Sequence, residues 1–251
     1  NLMSSSSPDQ NLLLGTHVSI AGGLYKAFAR GEQVGCTTIQ IFTKNASRWQ
    51  AKELQPEDIE SFKAARQKST IEFVAAHDSY LINLASPEPD KRQRSIKTFI
   101  DEMERCAALG IEYLVMHPGA HMGNGIESGL ALLVESFHTI FREAPSGVTV
   151  LLENTAGQGT CLGDKFEHLA FVIENVPEGD FGICLDTCHA FAAGYDLSTP
   201  EGYQATMKEF DRIIGLEQLQ LIHVNDSKKT LGSRVDRHDH IGKSLSRRYV
   251  S

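Results

Sequence analysis

The stretch Leu-Gly-Ile-Glu-Tyr-Leu-Val-Met-His-Pro-Gly (109–119) decides the fold. It closes an amphipathic run, Lys91–Leu109, at Gly110, the residue type that most readily adopts the left-handed conformation ending a helix. It then enters Tyr113–Met116, an apolar run of strand length without polar alternation, as expected of a strand covered on both faces. It leaves through a histidine, a proline and a glycine. Downstream comes a second helical pattern, Ile126–Glu143, and a second apolar run, Val148–Leu152. Working outward, the same alternation fills the chain. The other apolar runs are Leu13–Ile20, Thr38–Phe42, Glu72–Ala76, Gly182–Leu185 and Leu219–Val224. The other helical patterns are Gly22–Val34, Pro56–Lys68, Lys165–Asn175 and Thr199–Ile214. Pro56 at a first-turn position, with Glu57 and Asp58 after it, suits a helix start. A βα unit repeated about six times and followed by a seventh strand requires a parallel sheet, open or closed as a barrel. A chain of 251 residues fits a (β/α)8 barrel, typically ~250 residues long. After Val224, however, the sequence is polar and offers no eighth apolar run, so the expectation is a TIM barrel whose eighth βα unit is missing.

Composition bounds the rest. Hydrophobic residues make up 41% and charged residues 22%, an ordinary globular balance that excludes a disordered or fibrous chain. No apolar run approaches the roughly 18 residues of a membrane span. The polar, Ser-rich stretch 1–11 lacks the core of a signal peptide and reads as a disordered tail ahead of one domain over 12–243, with an atypical basic tail at 244–251. The odd count of five cysteines suits reduced thiols and a cytoplasmic location. A net charge of −8 argues against a nucleic-acid binder unless bound cations offset acidic ligands. The segment from Lys228 to Ser251 is itself basic.

The chemistry lies at the strand ends. The third run is followed by His77, the fourth by His117 and the fifth by Glu153. The sixth is followed by Asp186, with His189 three residues on, the seventh carries His223, and a later loop supplies Asp236 and His238. In a parallel barrel these ends share one mouth, where active sites sit. One histidine there is more often a packed rim residue than a ligand, but eight imidazoles and carboxylates at corresponding positions point to metal, since an unpaired buried charge is costly. The ligand types suit zinc or a neighbouring first-row ion, and their number implies two or three ions. Clustered ions with a bridging carboxylate such as Glu153 point to phosphodiester hydrolysis by metal-bound hydroxide; single-metal sugar isomerisation is the competing chemistry. His138 and His168 read as helix-face residues, and His121 and His240 as loop residues. His17 is either a rim residue or an outer group of the mouth. Cys188 reads as a packed thiol.

The motifs Gly-Thr-His-Val-Ser (15–19), Phe-Thr-Lys-Asn (42–45), His-Asp-Ser-Tyr-Leu-Ile-Asn-Leu (77–84), His-Pro-Gly (117–119), Glu-Asn-Thr-Ala-Gly-Gln-Gly (153–159), Asp-Thr-Cys-His-Ala-Phe-Ala-Ala-Gly-Tyr-Asp (186–196), His-Val-Asn-Asp-Ser-Lys (223–228) and Gly-Ser-Arg-Val-Asp-Arg-His (232–238) closely resemble the endonuclease IV family. These are the apurinic/apyrimidinic (AP) endonucleases of base-excision repair. The resemblance spans about residues 12–243. It implies a (β/α)8 barrel, three Zn2+ ions, and cleavage of duplex DNA 5′ to an abasic site, giving a 3′-hydroxyl and a 5′-deoxyribose phosphate. It implies that one zinc takes His77, His117 and Glu153, that a second shares Glu153 and takes Asp186 and His223, and that a third takes His189, Asp236 and His238. It further implies that the loops after the second and third strands, here with Lys44, Asn45, Arg48 and Trp49, then Tyr80 and Leu81, flip the abasic nucleotide from the stack by inserting a wedge; ordinary loop packing would explain Trp49 and Tyr80 equally well. Arg237 belongs to the same expected DNA face. The family's eighth strand ends in a glutamate, usually in Glu-Thr-Pro, that completes the second site. No such segment occurs here, so a weakened second site and reduced or absent activity of the 251-residue chain are expected. The chain is expected to act as a monomer, without membrane contact. A metal-dependent sugar isomerase or epimerase, and a non-catalytic remnant, are the alternatives.

Overall fold

The computed structural model describes residues 13–243, so the expected tails at 1–11 and 244–251 lie outside the described residues. Seven strands, β1 (Gly15–His17), β2 (Thr38–Ile41), β3 (Phe73–His77), β4 (Tyr113–Met116), β5 (Thr149–Glu153), β6 (Phe181–Asp186) and β7 (Leu219–His223), pair in parallel in chain order. Helices α1 (Lys26–Gln33), α2 (Pro56–Lys68), α3 (Pro89–Leu109), α4 (Ile126–Glu143), α5 (Phe166–Asn175), α6 (Thr187–Ala193) and α7 (Pro200–Ile213) cross over between them. Among the described residues β1 and β7 each have one neighbour in this sheet. The fold is therefore that of a TIM barrel, with seven parallel strands and no eighth among the described residues, as the strand count implied. Burial follows the seam: all three residues of β1 are exposed and β7 alternates half-buried with exposed positions, while β4, β5 and β6 are buried after their first residue.

Local sequence explains the element ends. At the start of α2 the Gln55 N–H donates to Asp58 Oδ2 (3.3 Å), and Pro56 begins the helix. Gly110 ends α3 at φ 71°. Thr199 caps α7, its hydroxyl accepting from Gly202 N at 3.0 Å. Two elements escape the periodicity. The seven residues of α6 are too few to show it; Asp186 ends β6 and caps α6, accepting from His189 N at 2.8 Å. The two-residue strands β8 (Asp226–Ser227) and β9 (His238–Asp239) form an antiparallel hairpin in what reads as a polar loop. The expected first run, Leu13–Ile20, shortens to three strand residues.

Two apolar layers result. The larger lies between sheet and helices and contains the fully buried Phe62, Phe99, Phe137, Phe166 and Phe210. The smaller fills the barrel: Val115, Leu151 and Cys184, with Tyr113 and Leu221 against them. Side chains alternate between these layers along each strand. Val115, Leu151, Cys184 and Leu221 face inward, so the residues two positions on, His117, Glu153, Asp186 and His223, do so too. Through the register, Ala75 pairs with Tyr113 and Gln40 with Ala75, which puts His77 and Gln40 on the same inner face; His17 pairs with Gln40.

Candidate metal centre

Glu153 is the hub. It is 1% exposed. Its Oε2 lies 3.1 Å from His77 Nε2 and 3.3 Å from His117 Nε2, and its Oε1 lies 3.2 Å from both His189 Nδ1 and His223 Nδ1. Asp186, equally buried, stands 3.9 Å from His189 Nδ1, His223 Nδ1 and His238 Nε2. Asp236 bridges His189 Nε2 (3.3 Å) and His238 Nε2 (3.1 Å). All eight candidate ligands singled out in the sequence thus meet in one mouth. Two of the three expected groupings, His77–His117–Glu153 and His189–Asp236–His238, have one donor atom per residue within 4.8 Å of one another. Glu153 also groups with His223 and Cys184. Burial, with Glu153 and Asp186 nearby, raises the Cys184 thiol far above its usual range, so the oxygen donors are the better ligands beside it. Cys188 is fully buried, its thiol raised by burial and hydrogen-bonded to Ser227, and it groups with Asp186 and His238.

Outer partners fix which imidazole nitrogen faces inward. His77 Nδ1 donates to Asp78 O (2.9 Å), His189 Nδ1 to Asn154 O (2.9 Å), and His223 Nε2 to Gln40 Oε1 (2.8 Å). In a neutral ring the other nitrogen then carries a lone pair. His189 Nε2 consequently presents a lone pair to Asp236 and, at 3.4 Å, to His238 Nε2. Acceptors facing acceptors need a positive charge between them, which is either a second proton on the ring, as the raised His189 holds without metal, or a metal ion that takes the proton's place. Ligating histidines are held by this kind of outer partner in metal sites, and the residues present fit a zinc cluster. The electrostatics agree. Burial would lower the histidines, but hydrogen bonds to Asp236 and Glu153 push His189 up to about 11, and Asp78 and Glu153 raise His77 well above its ordinary value. Burial would raise Glu153, but His117, His189 and His223 hold it well below the usual carboxylate range. His189 and His238 depress Asp236 likewise.

Several supporting residues carried no signal in the sequence. Asn154 accepts from Asp186 N (2.7 Å) and donates to Asp186 O (3.1 Å), and Asn225 donates to Asp186 Oδ2 (2.7 Å). Gln40 also donates to His17 Nδ1 at 3.1 Å, which makes His17 an outer group of the mouth. His138 is a half-exposed helix-face residue paired with Glu178, whereas His168 is buried against Asp164.

The expected DNA-facing residues divide. Tyr80 and Leu81 line a cavity of about 400 Å³ beside the cluster, with Arg237 at its rim. Asn45 and Arg48 are exposed in the loop after β2. Trp49 packs under Arg94, whose guanidinium carbon is 4.4 Å from the ring centroid. Lys44 requires a correction. Its side chain is 2% exposed and its ammonium meets Asp101 at 2.8 Å and Glu102 at 3.5 Å. Lys44 is a buried tie between the loop and α3, because Glu102 must be compensated in the core; it does not face a phosphate.

Residues 28–247 match the family described as a xylose isomerase-like TIM barrel, the class that the curled sheet and its mouth of ligands define. Over 230 residues the chain is 54% identical to a protein of Chloroflexus aurantiacus named "Probable endonuclease 4", covering 91% of this chain and 81% of that one. It is also similar to the crystal structure of endonuclease IV from Thermus thermophilus, with a TM-score of 0.82 and 36% identity over 93% of this chain and 84% of that chain. The chain belongs to the endonuclease IV family. A D-tagatose 3-epimerase-like structure, at 20% identity and a TM-score of 0.71, shares the fold.

Proposed function

We propose that this protein is a zinc-dependent AP endonuclease that hydrolyses duplex DNA 5′ to an abasic site, leaving a 3′-hydroxyl and a 5′-deoxyribose phosphate. The observation that carries the reading is the single buried carboxylate of Glu153, shared by His77, His117, His189 and His223. Three Zn2+ would be held by His77, His117 and Glu153; by Glu153, Asp186 and His223; and by His189, Asp236 and His238. When bound, such ions supply Lewis acidity at a phosphodiester and generate a nucleophile from water near neutral pH. The chain's own residues do the rest. Gln40, the Asp78 carbonyl and the Asn154 carbonyl hold the outer nitrogens of His223, His77 and His189, so that the inner nitrogen of each is the one aimed at an ion and the one that gives up its proton to it. Glu153 fixes the separation of the sites it joins. Arg237 and Arg48, both exposed, would meet the DNA backbone, and Tyr80 and Leu81 would occupy the gap left by a displaced abasic nucleotide. Acidic ligands explain how a chain of net charge −8 could bind DNA, because bound cations reverse the local field. No helix among the described residues is long and apolar enough to cross a membrane, and we assign the activity to a cytoplasmic monomer.

The test is incision of a duplex carrying one abasic site, with zinc, with a chelator, and with the His189→Ala variant. Cleavage 5′ to the lesion that needs zinc and His189 is expected. A chain extended by the family's eighth unit with Glu-Thr-Pro, run alongside, is expected to cut faster. Binding without cutting in both chains would instead support the non-catalytic reading, and turnover of ketohexoses the epimerase reading.

A further inference from the structure

The candidate ligands differ in how they are held. Glu153, Asp186 and His189 are at most 3% exposed, whereas the side chains of His117, Asp236 and His238 are 44%, 45% and 44% exposed. His117 directly follows β4, but Asp236 and His238 stand outside the seven-stranded sheet. Both lie on segment 228–238, which crosses the mouth from β8 to β9. The segment is pinned by Gly232 N donating to Phe191 O (3.0 Å), Arg234 N to Ala192 O (2.9 Å) and Asp236 N to Gln158 Oε1 (2.9 Å). The Arg234 side chain reaches the loop after β5. Its Nη2 meets Asp164 Oδ2 at 2.8 Å and its Nε donates to Gly157 O at 3.2 Å. Asp164 is 6% exposed and is backed by the buried His168, whose Nδ1 lies 3.3 Å from Asp164 Oδ1. Arg234 adopts φ 55°, unusual for a residue with a side chain. Gly157 leaves no room there: a Cβ would lie 2.7 Å from Asp164 Cβ and 2.8 Å from Arg234 Nη2. Three positions, Gly157, Asp164 and Arg234, are thus committed to a contact that touches no candidate ligand and lies two residues before Asp236.

We propose that the Arg234–Asp164 pair is a latch that sets the affinity of the outermost ion, held by His189, Asp236 and His238, independently of the ions deeper in the barrel. The proposal rests on the zinc reading of the cluster. Arg234 is a positioning residue. It orients the loop segment bearing Asp236, so that the third site forms only while the segment is docked on the loop after β5. The other ions hang on residues in or directly after the barrel strands and do not depend on it.

The test is a zinc count by mass spectrometry after equilibrium dialysis at a series of fixed free-zinc concentrations, for the parent chain, Arg234→Met, Asp164→Asn and His238→Ala. One ion is expected to bind about tenfold more weakly in Arg234→Met and Asp164→Asn, with the others unchanged. The double variant Arg234→Met/His238→Ala should lose no more ions than His238→Ala alone, and Arg234→Lys, which can still reach Asp164, should fall between parent and Arg234→Met. Thermal melts of the zinc-free forms guard against misfolding, and Asp164→Asn, nearly isosteric, serves if Arg234→Met does not melt cooperatively. Parent-like binding in the variants, or weakening of every ion together, would overturn the latch while leaving the zinc reading intact. A parent chain that binds no zinc would overturn both.

Discussion

Replacing Gln40 by leucine removes the acceptor for His223 Nε2–H at 2.8 Å and the donor to His17 at 3.1 Å, while keeping the side chain's bulk. The side chain of His223 is 19% exposed, so water only partly replaces the lost partner. Leaving a largely buried donor unmet costs about 1–3 kcal/mol. Losing the outer partner of a ligating histidine lowers metal affinity by roughly 10–100-fold, or about 1.4 to 2.7 kcal/mol at about 1.4 kcal/mol per decade. The two routes agree. Gln40→Leu should therefore weaken one zinc ion by one to two decades in competition with a chromophoric chelator, and reduce incision at limiting zinc but less so at saturating zinc. Gln40→Glu, which supplies a carboxylate to the same nitrogen, should restore or tighten binding. Unchanged zinc affinity in Gln40→Leu would refute the argument that outer partners select the inner nitrogen.

Three further outcomes follow from the same geometry. His117→Ala and His189→Ala should each suppress incision far more than His138→Ala, whose half-exposed ring pairs with Glu178 and whose loss should change stability by no more than about 0.5 kcal/mol; equal effects in an abasic-duplex assay would contradict the ligand assignment. Burial and Asp78 push Glu102 up to about 7 from 4.5, against the opposing charge of Lys44. The folded state therefore holds a proton that the unfolded chain has lost between those values, and the contribution of Glu102, full below about 4.5, is lost as pH rises through about 7. Denaturant melts should show the parent losing on the order of 2–3 kcal/mol relative to Glu102→Gln across that range, and a flat difference would refute it. Zinc binding at pH 7.5 should release at least one proton, because His189, pushed up to about 11, must deprotonate to ligate, and His77, raised well above its ordinary value by Asp78 and Glu153, adds to the release; calorimetry in buffers of different ionisation enthalpy measures the number, and none released would contradict the ligand set.

Much of this could be read in the sequence because the relevant signals are periodic. The helix Ile126–Glu143 and the strand Tyr113–Met116 have the bounds that their patterns implied. The metal-competent residues stood out because Glu153 and Asp186 continue apolar runs in which an unpaired charge would be costly. What stayed hidden depends on partners distant in sequence. Gln40 is an ordinary amide until the barrel sets it opposite His223, 183 residues away. Lys44 sits in a motif that resembles a DNA-contacting loop, yet α3 brings Asp101 and Glu102 beneath it. The helix α6 is too short for periodicity, and its cap, Asp186, also serves as a candidate ligand.

The most direct measurement is anomalous diffraction at the zinc edge from a crystal of the zinc-loaded protein. The account predicts peaks bounded by His77, His117 and Glu153, by Glu153, Asp186 and His223, and by His189, Asp236 and His238. A loaded crystal with no peak touching Glu153, or with zinc only elsewhere on the molecule, would contradict it.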